Sequence, residues 1–461
     1  MAYQSINPYT GEEVASFPEA TDAEIEQALA TAHEAFKSWR ALSFDERAEY
    51  LRRAAGLFRE RAEELSLLQT AEMGMPLSLS RPQTEYMIPS MLEYYAENAE
   101  AFLADEKLDV NEAEGETWIT HQPLGIIYAV EPWNGPFYQA IRPACGNLMA
   151  GNVVMLKHAS NIPGCADAVA QVFTDAGLPE GVFTNVFATH DQSARIVADP
   201  RVRGVTLTGS DAAGARIGEQ AGRAIKPAVL ELGGSDPMIV LEDADLALTA
   251  RCSMFRFLTS GQACISNKRI IVVDSIYDEY LEQYKQMTEG LTPGDPADPA
   301  TGFGPLSSKE AADGVREQIR RAVEAGATAI EVGPKVPDVE TFVQATILTD
   351  VTPDNPVYYE EIFGPVPVIF RVRDEAEAIE LANDSPYGLG GGVYSQDIER
   401  AKRVAAQIDT GMVAINAPLY VYDDMPFGGT KRSGIGKEMG PHGIKEFVNS
   451  KLITIPVSPV I

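Results

Sequence analysis

From Gly125 onward, short apolar runs alternate with stretches in which apolar residues recur at helical spacing. The apolar runs cover residues 126–130, 153–156, 184–187 and 204–208. Between them lie helical patterns of about 10 to 15 residues, which is typical of parallel strands joined by right-handed crossovers. The sequence therefore predicts an α/β fold with a doubly wound parallel sheet, which is suited to binding a nucleotide at the carboxyl ends of its strands.

A second series of this kind begins at Pro237. Its predicted strands lie at 238–241, 270–273, 328–331 and 366–370, and its predicted helices at 246–258 and 277–289. Upstream, residues 22–72 read as a helical layer, and residues 104–122 as a hairpin with its turn near 109–115. The extended run 451–457 has no partner nearby in sequence, and we expect it to pair with another subunit.

The acidic composition excludes some partners. The chain of 461 residues carries 67 acidic and 37 basic residues, a formal net charge of −30. Such a surface repels nucleic acid phosphate and anionic lipid, so we expect neither nucleic acid nor a membrane as a partner. The charge indicates either adaptation to high salt, where screening weakens self-repulsion, or an ordinary acidic cytosolic protein.

Metal binding and export are also not expected. The four cysteines and five histidines show neither the C-x-x-C spacing nor the His pairs of a metal site. The N-terminus lacks the pattern of a secretory leader, and there is no apolar run of 18 residues. These observations predict a cytoplasmic protein with no bound metal.

Three residues stand at turns where a side chain can face a cleft. Cys264 lies in Ser260-Gly-Gln-Ala-Cys, Glu231 follows an apolar strand before a glycine pair, and Asn134 lies in Glu131-Pro-Trp-Asn-Gly-Pro. Each has an ordinary structural interpretation: a buried inert thiol, an ion-pair partner and a turn asparagine. Position alone does not decide between chemistry and structure.

Two further positions could contact a nucleotide. Lys157 closes a predicted strand, and Gly209 and Ser210 lie in a strand-to-helix loop whose amides could face a phosphate. The G-x-G-x-x-G fingerprint is absent, and Ala215-Arg216 stand where a P-loop requires Lys-Ser/Thr. As a phosphate motif this loop is weak by itself.

Taken together, these segments resemble the NAD(P)-dependent aldehyde dehydrogenase superfamily, most closely its succinate-semialdehyde dehydrogenase branch. The resemblance runs over nearly the whole chain, and its seven ordered motifs are Pro132-Trp-Asn134, Lys157, Thr208-Gly-Ser210, Glu231-Leu-Gly-Gly, Gly261-Gln-x-Cys264, Glu361-Ile-Phe-Gly-Pro365 and Pro426-Phe-Gly-Gly-x-Lys-x-Ser-Gly434. It implies a cofactor-binding domain (1–104 and 124–233), a catalytic domain (234–432) and oligomerisation elements (105–123 and 433–461) that join homodimers or homotetramers.

The resemblance also implies a mechanism. Cys264 attacks a small-molecule aldehyde as the thiolate, and the Asn134 amide with the Cys264 backbone N–H holds the oxyanion. Glu231 then activates water to release a carboxylic acid. Lys157 completes the implied catalytic set.

For the cofactor, the resemblance implies NADP or NAD. The implied contacts are Trp133, Lys157, Ser160, Gly209, Ser210, Glu231, Leu232, Glu361 and Phe363. Ser160 stands where NAD-preferring relatives often carry a glutamate that would repel a 2′-phosphate, which favours NADP.

For the substrate, Arg142 and Phe137 are the implied contacts, with Arg142 matching an arginine that binds the substrate carboxylate. A second arginine is expected six residues before the nucleophile, but Leu258 stands there and Arg256 lies two positions earlier. A small carboxylated aldehyde such as succinate semialdehyde is therefore expected, and broad aliphatic or aromatic aldehydes are the alternative. A retired binding protein and an acyl-phosphate reductase are further alternatives, which the presence of Cys264, Glu231 and Asn134 disfavours.

Overall fold

The N-terminal part of the computed structural model, which describes residues 3–109 and 115–456, is mainly helical. Its elements are β1 (Tyr3–Ile6), β2 (Glu13–Phe17), α1 (Asp22–Trp39), α2 (Phe44–Glu60), α3 (Ala62–Met73), α4 (Leu77–Pro82), a π-helical turn (Gln83–Met87), α5 (Ile88–Phe102), β3 (Glu106–Lys107) and β4 (Glu116–Pro123). Capping boxes formed by Thr21 with Glu24 and by Ser43 with Glu46 begin α1 and α2. The predicted helical layer is confirmed.

A six-stranded sheet follows. Its elements are β5 (Ile126–Glu131), α6 (Pro136–Ala150), β6 (Val153–His158), α7 (Pro163–Asp175), β7 (Phe183–Asn185), α8 (His190–Ala198), β8 (Val202–Thr208), α9 (Asp211–Arg223) and β9 (Ala228–Glu231). The parallel strands run in the order β9-β8-β5-β6-β7, so the winding direction reverses between β5 and β8. This is the doubly wound sheet that the sequence predicts.

The second half of the chain forms a seven-stranded sheet. The remaining elements are β10 (Pro237–Val240), α10 (Leu246–Ser253), a 3-10 segment (Met254–Gly261), β11 (Arg269–Val273), α11 (Asp274–Thr288), α12 (Lys309–Glu324), β12 (Thr328–Glu331), β13 (Thr346–Thr349), β14 (Val368–Val372), α13 (Glu375–Asn383), β15 (Tyr387–Gly388), β16 (Gly392–Tyr394), α14 (Ile398–Ala405), β17 (Ala414–Ile415), β18 (Thr430–Lys431), β19 (Gly434–Ile435), α15 (Gly440–Gly443) and β20 (Val448–Ile455). The strand order is β12-β13-β14-β11-β10-β16-β17, with only the β12–β13 pairing antiparallel.

Both faces of this second sheet are covered. In β10 and β11, Met238 and Ile270 contribute to one buried cluster, while Ile239 and Ile271 contribute to another. Successive strand residues point to opposite faces, so the continuous apolar runs of these strands reflect burial on both sides. The second predicted α/β body is therefore present.

The helix predicted over 246–258 is shorter than expected. α10 ends at Ser253, and the chain continues as the 3-10 segment, in which Thr259 and Ser260 adopt left-handed φ values of 49° and 55°. The apolar pattern continues through this segment because its side chains stay packed while the backbone leaves the α-helical path.

The C-terminal strand also differs from the prediction. The prediction gave this strand no partner within the chain. β20 pairs antiparallel with β4 of the same chain, from Val448 opposite Pro123 to Ile455 opposite Glu116. β3 pairs with β4, as the predicted hairpin requires, while residues 110–114 of its turn lie outside the described residues. β19 pairs antiparallel with β9 and thereby closes one edge of the first sheet. No helix in the described ranges is long and apolar enough to cross a membrane.

Candidate active site

The proposed nucleophile lies just after the 3-10 segment. Thr259, Ser260 and Gly261 have consecutive left-handed φ values, and this turn places half-buried Cys264 at the wall of a cavity of about 320 Å³. A Cβ at Gly261 would lie 2.1 Å from the carbonyl oxygen of Gly364, so only glycine allows this close approach of two loops. The tight turn therefore requires glycine at position 261.

Arg256 holds this turn from behind. Its fully buried guanidinium donates to the carbonyl oxygens of Gly261 at 3.0 Å, Ile362 at 2.7 Å and Gly364 at 2.5 Å, and to the hydroxyl of Ser266 at 2.7 Å. It therefore faces away from the cavity and ties the nucleophile turn to the loop that carries Glu361. Leu258 lines the cavity where a second substrate arginine is expected.

Asn134 lines the same cavity as Cys264. Its Nδ2 donates to the Gln262 carbonyl oxygen at 3.0 Å, and its Oδ1 accepts from Gln139 Nε2 at 3.2 Å. These two bonds fix the orientation of the amide. The structure therefore brings Asn134 and Cys264, which are 130 positions apart in the sequence, to one site.

Two cations and two carboxyl groups, Asp236 and Glu361, surround Cys264. Burial raises the pKa of the Cys264 thiol to about 11, while Arg142 and then Lys268 act to lower it. Lys268 Nζ donates to the Cys264 carbonyl oxygen at 2.7 Å and pairs with Glu361 at 3.1 Å. Lys268 was not predicted as a site residue, and its only signal in the sequence is a Lys-Arg pair before the apolar run 270–273.

Glu231 ends β9 and is 2% exposed. Among the described residues, no donor reaches either of its carboxylate oxygens at hydrogen-bonding distance and angle. Burial, followed by the charge of Glu438, raises its pKa well above the usual range, while Arg142 and Lys437 oppose the shift. A carboxyl group in this state is a strong base once it has lost its proton.

Glu361 and Phe363 lie on the loop held by Arg256. Glu361 Oε1 accepts from the Gly234 backbone N–H at 3.0 Å, and the Phe363 ring meets Trp133 edge-on at 5.9 Å. The predicted cofactor contacts at Trp133, Glu361 and Phe363 are thus neighbours in space.

A second cavity, of about 570 Å³, lies beside β6. Its wall includes Lys157, Ser160, Trp133 and His190. Lys157 is 8% exposed, burial lowers its pKa to about 8, and its Nζ has a long 3.4 Å bond to the His158 carbonyl oxygen. A buried amine that makes such a long hydrogen bond and lines a cavity is suited to binding an anionic ligand. The sequence analysis did not select His190.

The Gly209–Ser210 loop is already engaged by its own chain. Ser210 Oγ caps α9 by accepting from the Ala213 N–H at 3.2 Å, and the Gly209 N–H donates to the Glu231 carbonyl oxygen at 3.0 Å. Leu232 is buried, and its N–H donates to the Ser433 carbonyl oxygen at 2.9 Å.

The two predicted substrate residues have different positions. Arg142 lines the first cavity, but its Nε forms a buried ion pair with Glu438 and its Nη2 donates to Thr208 Oγ1 at 2.9 Å. Phe137 is fully buried in the core, with its ring 6.1 Å from that of Phe58, and does not line the cavity.

Two buried carboxyl groups near Glu231 also escaped the sequence analysis. Glu131 ends β5 and is 2% exposed, and Glu438 is 5% exposed beside Arg142. Their signal was weak, since a glutamate at the end of a strand is usually a surface residue. In the described part of the chain, no cluster of three or more His, Cys, Asp or Glu residues is arranged to hold a metal ion.

The chain is similar to known proteins over nearly its whole length. The aldehyde dehydrogenase family matches residues 1–453. A curated succinate-semialdehyde dehydrogenase [NADP(+)] of Deinococcus radiodurans is 47% identical over 98% of this chain and 94% of its own length. The succinate-semialdehyde dehydrogenase [NADP(+)] 1 of Mycobacterium tuberculosis is 42% identical over 99% of this chain and 100% of its own length.

Solved structures show the same fold. The crystal structure of succinic semialdehyde dehydrogenase from Streptococcus pyogenes in complex with NADP+ superposes with a TM-score of 0.96 at 40% identity. The match covers 99% of this chain and 100% of that chain. The overall fold of this chain is therefore the same as that of this solved structure.

Proposed function

The chain belongs to the aldehyde dehydrogenase family and oxidises an aldehyde with a nicotinamide cofactor, and we propose that it converts succinate semialdehyde to succinate with NADP+. The observation that carries this proposal is the shared cavity of Cys264 and Asn134. A nucleophile and an amide donor at one cavity are the two groups that acyl chemistry at a carbonyl needs.

In the proposed mechanism, the Cys264 sulfur attacks the aldehyde carbon and a thiohemiacetal forms. The oxyanion accepts from the Asn134 amide, which Gln139 and Gln262 hold in place before the substrate arrives. A donor fixed in advance needs no reorganisation as charge develops, and removing such a donor lowers turnover by about 10²–10³. The nicotinamide cofactor supplies the hydride acceptor when it is bound.

In the release step, Glu231 takes a proton from water, whose oxygen then attacks the thioester carbon. The C–S bond breaks and its electron pair returns to Cys264. Because burial and Glu438 raise the pKa of Glu231, this step becomes faster as the pH rises and the carboxyl group loses its proton.

The cofactor proposal rests on the second cavity. The buried amine of Lys157 and the hydroxyl of Ser160 offer a cation and a donor to a phosphate, and a carboxylate at position 160 would repel it. We infer that these two residues hold the adenosine ribose and its 2′-phosphate. Glu361 and Phe363 would then lie toward the nicotinamide end, and Gly209, Ser210 and Leu232 along the sheet edge between them.

For the substrate, we propose that the Arg142 guanidinium attracts the distal carboxylate. Its Nε and Nη2 are committed to Glu438 and Thr208, so it contributes mainly charge to the cavity. The related enzymes act on succinate semialdehyde by name, which supports a carboxylated aldehyde here.

A broader aldehyde specificity is the second candidate. The cavity wall is largely apolar and includes Leu258 in place of a second arginine, together with Met87, Phe255 and Leu419. Such a lining favours longer aliphatic or aromatic aldehydes.

The experiment is a substrate panel followed at the absorbance band of the reduced nicotinamide. The enzyme is mixed with NADP+ or NAD+ and with succinate semialdehyde, an aliphatic aldehyde of matched length and benzaldehyde. We expect the highest kcat/KM for succinate semialdehyde with NADP+, and no activity for Cys264→Ala. Equal kcat/KM for the carboxylated and uncharged aldehydes would favour the second candidate, and strict NAD+ dependence would overturn the cofactor proposal.

We also propose that the small sheet joins subunits into homodimers or homotetramers. β20 exposes Leu452 and Ile455, at 60% and 52%, on a strand whose outer edge pairs with no other strand among the described residues. Exposed apolar residues along an open strand edge favour pairing with a second copy. Light scattering of the purified protein measures the assembly.

A further inference from the structure

We propose that Lys268 links Glu361, at the proposed nicotinamide end of the cofactor site, to Cys264. Its ammonium is shared between the Glu361 carboxylate and the backbone of the nucleophile turn. When a ligand occupies Glu361, the ammonium charge is left to stabilise the Cys264 thiolate. This inference rests on the proposed function, which puts the cofactor against Glu361. Lys268 touches no reacting atom in this role, so it is a positioning residue.

The ammonium of Lys268 bridges two loops. Lys268 is 2% exposed, and its Nζ donates to the carbonyl oxygens of Ala263 at 3.0 Å and of Cys264 at 2.7 Å. The same Nζ lies 3.1 Å from Glu361 Oε1 and 5.8 Å from the centre of the Phe363 ring. A lysine ammonium has three donors, and here two go to the nucleophile turn while the third faces the loop that carries Glu361. The charge is thus divided between the two ends of the site.

The backbone of Lys268 is fixed by the second sheet. The N–H groups of Lys268 and Arg269 both donate to the Asp236 carbonyl oxygen, each at 3.1 Å. Arg269 begins β11 and lies opposite Pro237 at the start of the neighbouring strand β10. With its backbone held at this sheet end, the ammonium has only short movements left, between Glu361 and the nucleophile turn.

The bond to Ala263 also orients the proposed oxyanion donor. The Ala263 carbonyl and the Cys264 N–H belong to one peptide unit, which is trans like the other peptide bonds described. In a planar trans peptide these two groups point in opposite directions. Lys268 Nζ at 3.0 Å and the Ser266 hydroxyl at 2.9 Å hold the carbonyl oxygen, so they also fix the direction of the Cys264 N–H.

One of the charges around Cys264 is accessible to a ligand. The groups that interact with the thiol are two cations, two carboxyl groups and a phenol: Arg142, Lys268, Asp236, Glu361 and Tyr138. Arg142 is already paired with Glu438, and Asp236 is 1% exposed. The side chain of Glu361 is 16% exposed and lies beside the proposed cofactor contacts. Glu361 is therefore the charge through which a bound cofactor can act on the thiol.

Occupation of Glu361 changes the charge balance at Cys264. Glu361 Oε1 accepts from the Gly234 N–H at 3.0 Å and faces Lys268, so a ligand hydroxyl that binds this carboxylate competes with the ammonium for it. An uncompensated opposite charge within about 4–6 Å increases the ionised fraction of a weak acid about tenfold or more. The thiol therefore becomes more reactive as the cofactor site fills.

The first test is a double-mutant cycle in the cofactor-free enzyme. Inactivation by iodoacetamide, a neutral reagent, is followed at about pH 9, where Asp236, whose pKa burial raises to about 7, stays ionised. We expect Lys268→Met to lower the rate about tenfold, and Glu361→Gln, which removes the charge and keeps an acceptor for Gly234, to raise it about tenfold. In the Lys268→Met background, Glu361→Gln should raise the rate at least about threefold less, because no ammonium is released toward the thiol.

Two results of the cycle overturn the link. Equal effects of Glu361→Gln in the two backgrounds would mean that the charges act on the thiol separately, and an unchanged rate in Lys268→Met would mean that the ammonium does not act on it. The matched control is Lys309→Met with Glu340→Gln, which removes an exposed ion pair of the same 3.1 Å separation and should leave the rate unaltered. If Lys268→Met does not fold, Lys268→Gln, which keeps a donor for the carbonyl oxygens, takes its place with the same expected outcomes.

The second test measures the protons released as the cofactor binds. Isothermal titration calorimetry in buffers of different ionisation enthalpy gives this quantity without turnover, using whichever of NADP+ and NAD+ the substrate panel favours. At about pH 9 we expect the wild-type enzyme to release more protons than Lys268→Met, and Lys268→Met to resemble Cys264→Ala more closely, since the released proton comes from the thiol. Equal release by the wild-type enzyme and Lys268→Met overturns the link at the cofactor end.

Failure of the proposed function is seen separately. If no aldehyde of the substrate panel gives reduced nicotinamide with the wild-type enzyme, the proposed function is wrong. Normal aldehyde oxidation together with equal effects of Glu361→Gln in both backgrounds rejects only the role of Lys268.

Discussion

Cys264 illustrates how a residue can be placed for chemistry and yet be held inactive by its surroundings. Burial raises the pKa of its thiol to about 11, while Arg142 and Lys268 act in the opposite direction. Since the thiolate is the reacting form, only a small fraction is reactive near neutral pH. The cavity must therefore gain positive charge or lose apolar contact before the thiol attacks rapidly.

This state predicts how Cys264 responds to an alkylating agent. The rate of inactivation by iodoacetamide should rise about tenfold per pH unit between about pH 7 and pH 9, without a plateau, because the thiolate fraction grows throughout that range. Loss of activity and mass spectrometry of the labelled peptide measure it. Preincubation with NADP+ is the control, and a plateau below about pH 8 in the free enzyme would contradict the raised pKa.

Glu231 gives a second prediction at this scale. Glu231→Gln should leave the first turnover of NADPH formation intact and slow the steady-state rate by about 10²-fold or more, because the variant has no base for the thioester step. Stopped-flow absorbance separates the two phases. Steady-state turnover equal to wild type, when release limits the rate, would remove Glu231 from its proposed role.

At the scale of single residues, the sequence predicted the side chains that lie in motifs and missed the buried charged side chains near them. Cys264 and Asn134 were selected and share a cavity. Lys268, Glu131 and Glu438 were not selected, because a buried charge reveals itself only through the partners that the fold brings to it.

Among the elements, the segment between α10 and β11 connects the two halves of the site. The 3-10 segment, the nucleophile turn and the loop carrying Glu361 meet at the Arg256 guanidinium. Arg256, together with Lys268, which contacts both the Cys264 carbonyl oxygen and Glu361, therefore sets the spacing between the nucleophile and the proposed cofactor contacts.

Arg256→Met should lower the free energy of unfolding by about 3 kcal/mol or more, because several buried carbonyl oxygens lose their donor. The expected readouts are a lower urea midpoint and a higher KM for NADP+. Arg251→Met, at an exposed position of α10, is the matched control and should change neither quantity. A variant with wild-type stability and KM would show that the loops hold their spacing without Arg256.

The boundaries of helices and strands were predicted correctly where apolar residues recur at a clear spacing. They were wrong where the backbone departs from the regular element. The helices of the first sheet and the capped helices α1 and α2 agree with the pattern. The end of α10 was missed because the apolar pattern continues through the 3-10 segment that follows Ser253, in which non-helical dihedral angles begin only at Leu258. The pairing of β20 with β4 was missed because it joins segments more than 300 residues apart, which no local pattern reports.

For the whole molecule, the net charge of −30 bears on how the cofactor reaches its cavity. Glu19 and Asp191 lie on the same wall as Lys157, so an anionic cofactor meets an acidic rim before it meets the amine. The sequence predicted the acidic surface, and the structure places part of it at this entrance.

Raising the salt concentration should therefore lower the apparent KM for NADP+, because screening at about 0.1 M or more shortens the range of repulsion to ~10 Å. Initial rates at several salt concentrations with a non-interacting counter-ion measure it. NAD+, which carries less negative charge, is the control and should show a smaller change. A KM for NADP+ that does not depend on salt would show that the acidic residues solvate the surface without affecting cofactor binding.

The antiparallel pairing of β19 with β9 has a consequence for the order in which the protein can be made. The edge of the first sheet is complete only when Gly434 reaches Glu231, which lies about 200 residues earlier in the chain. At the usual rates of translation this takes roughly 10–40 s, during which β9 presents an open strand edge in a nascent chain. Chains released from the ribosome before residue 434 would keep that edge, so β19 protects β9 only in the finished fold.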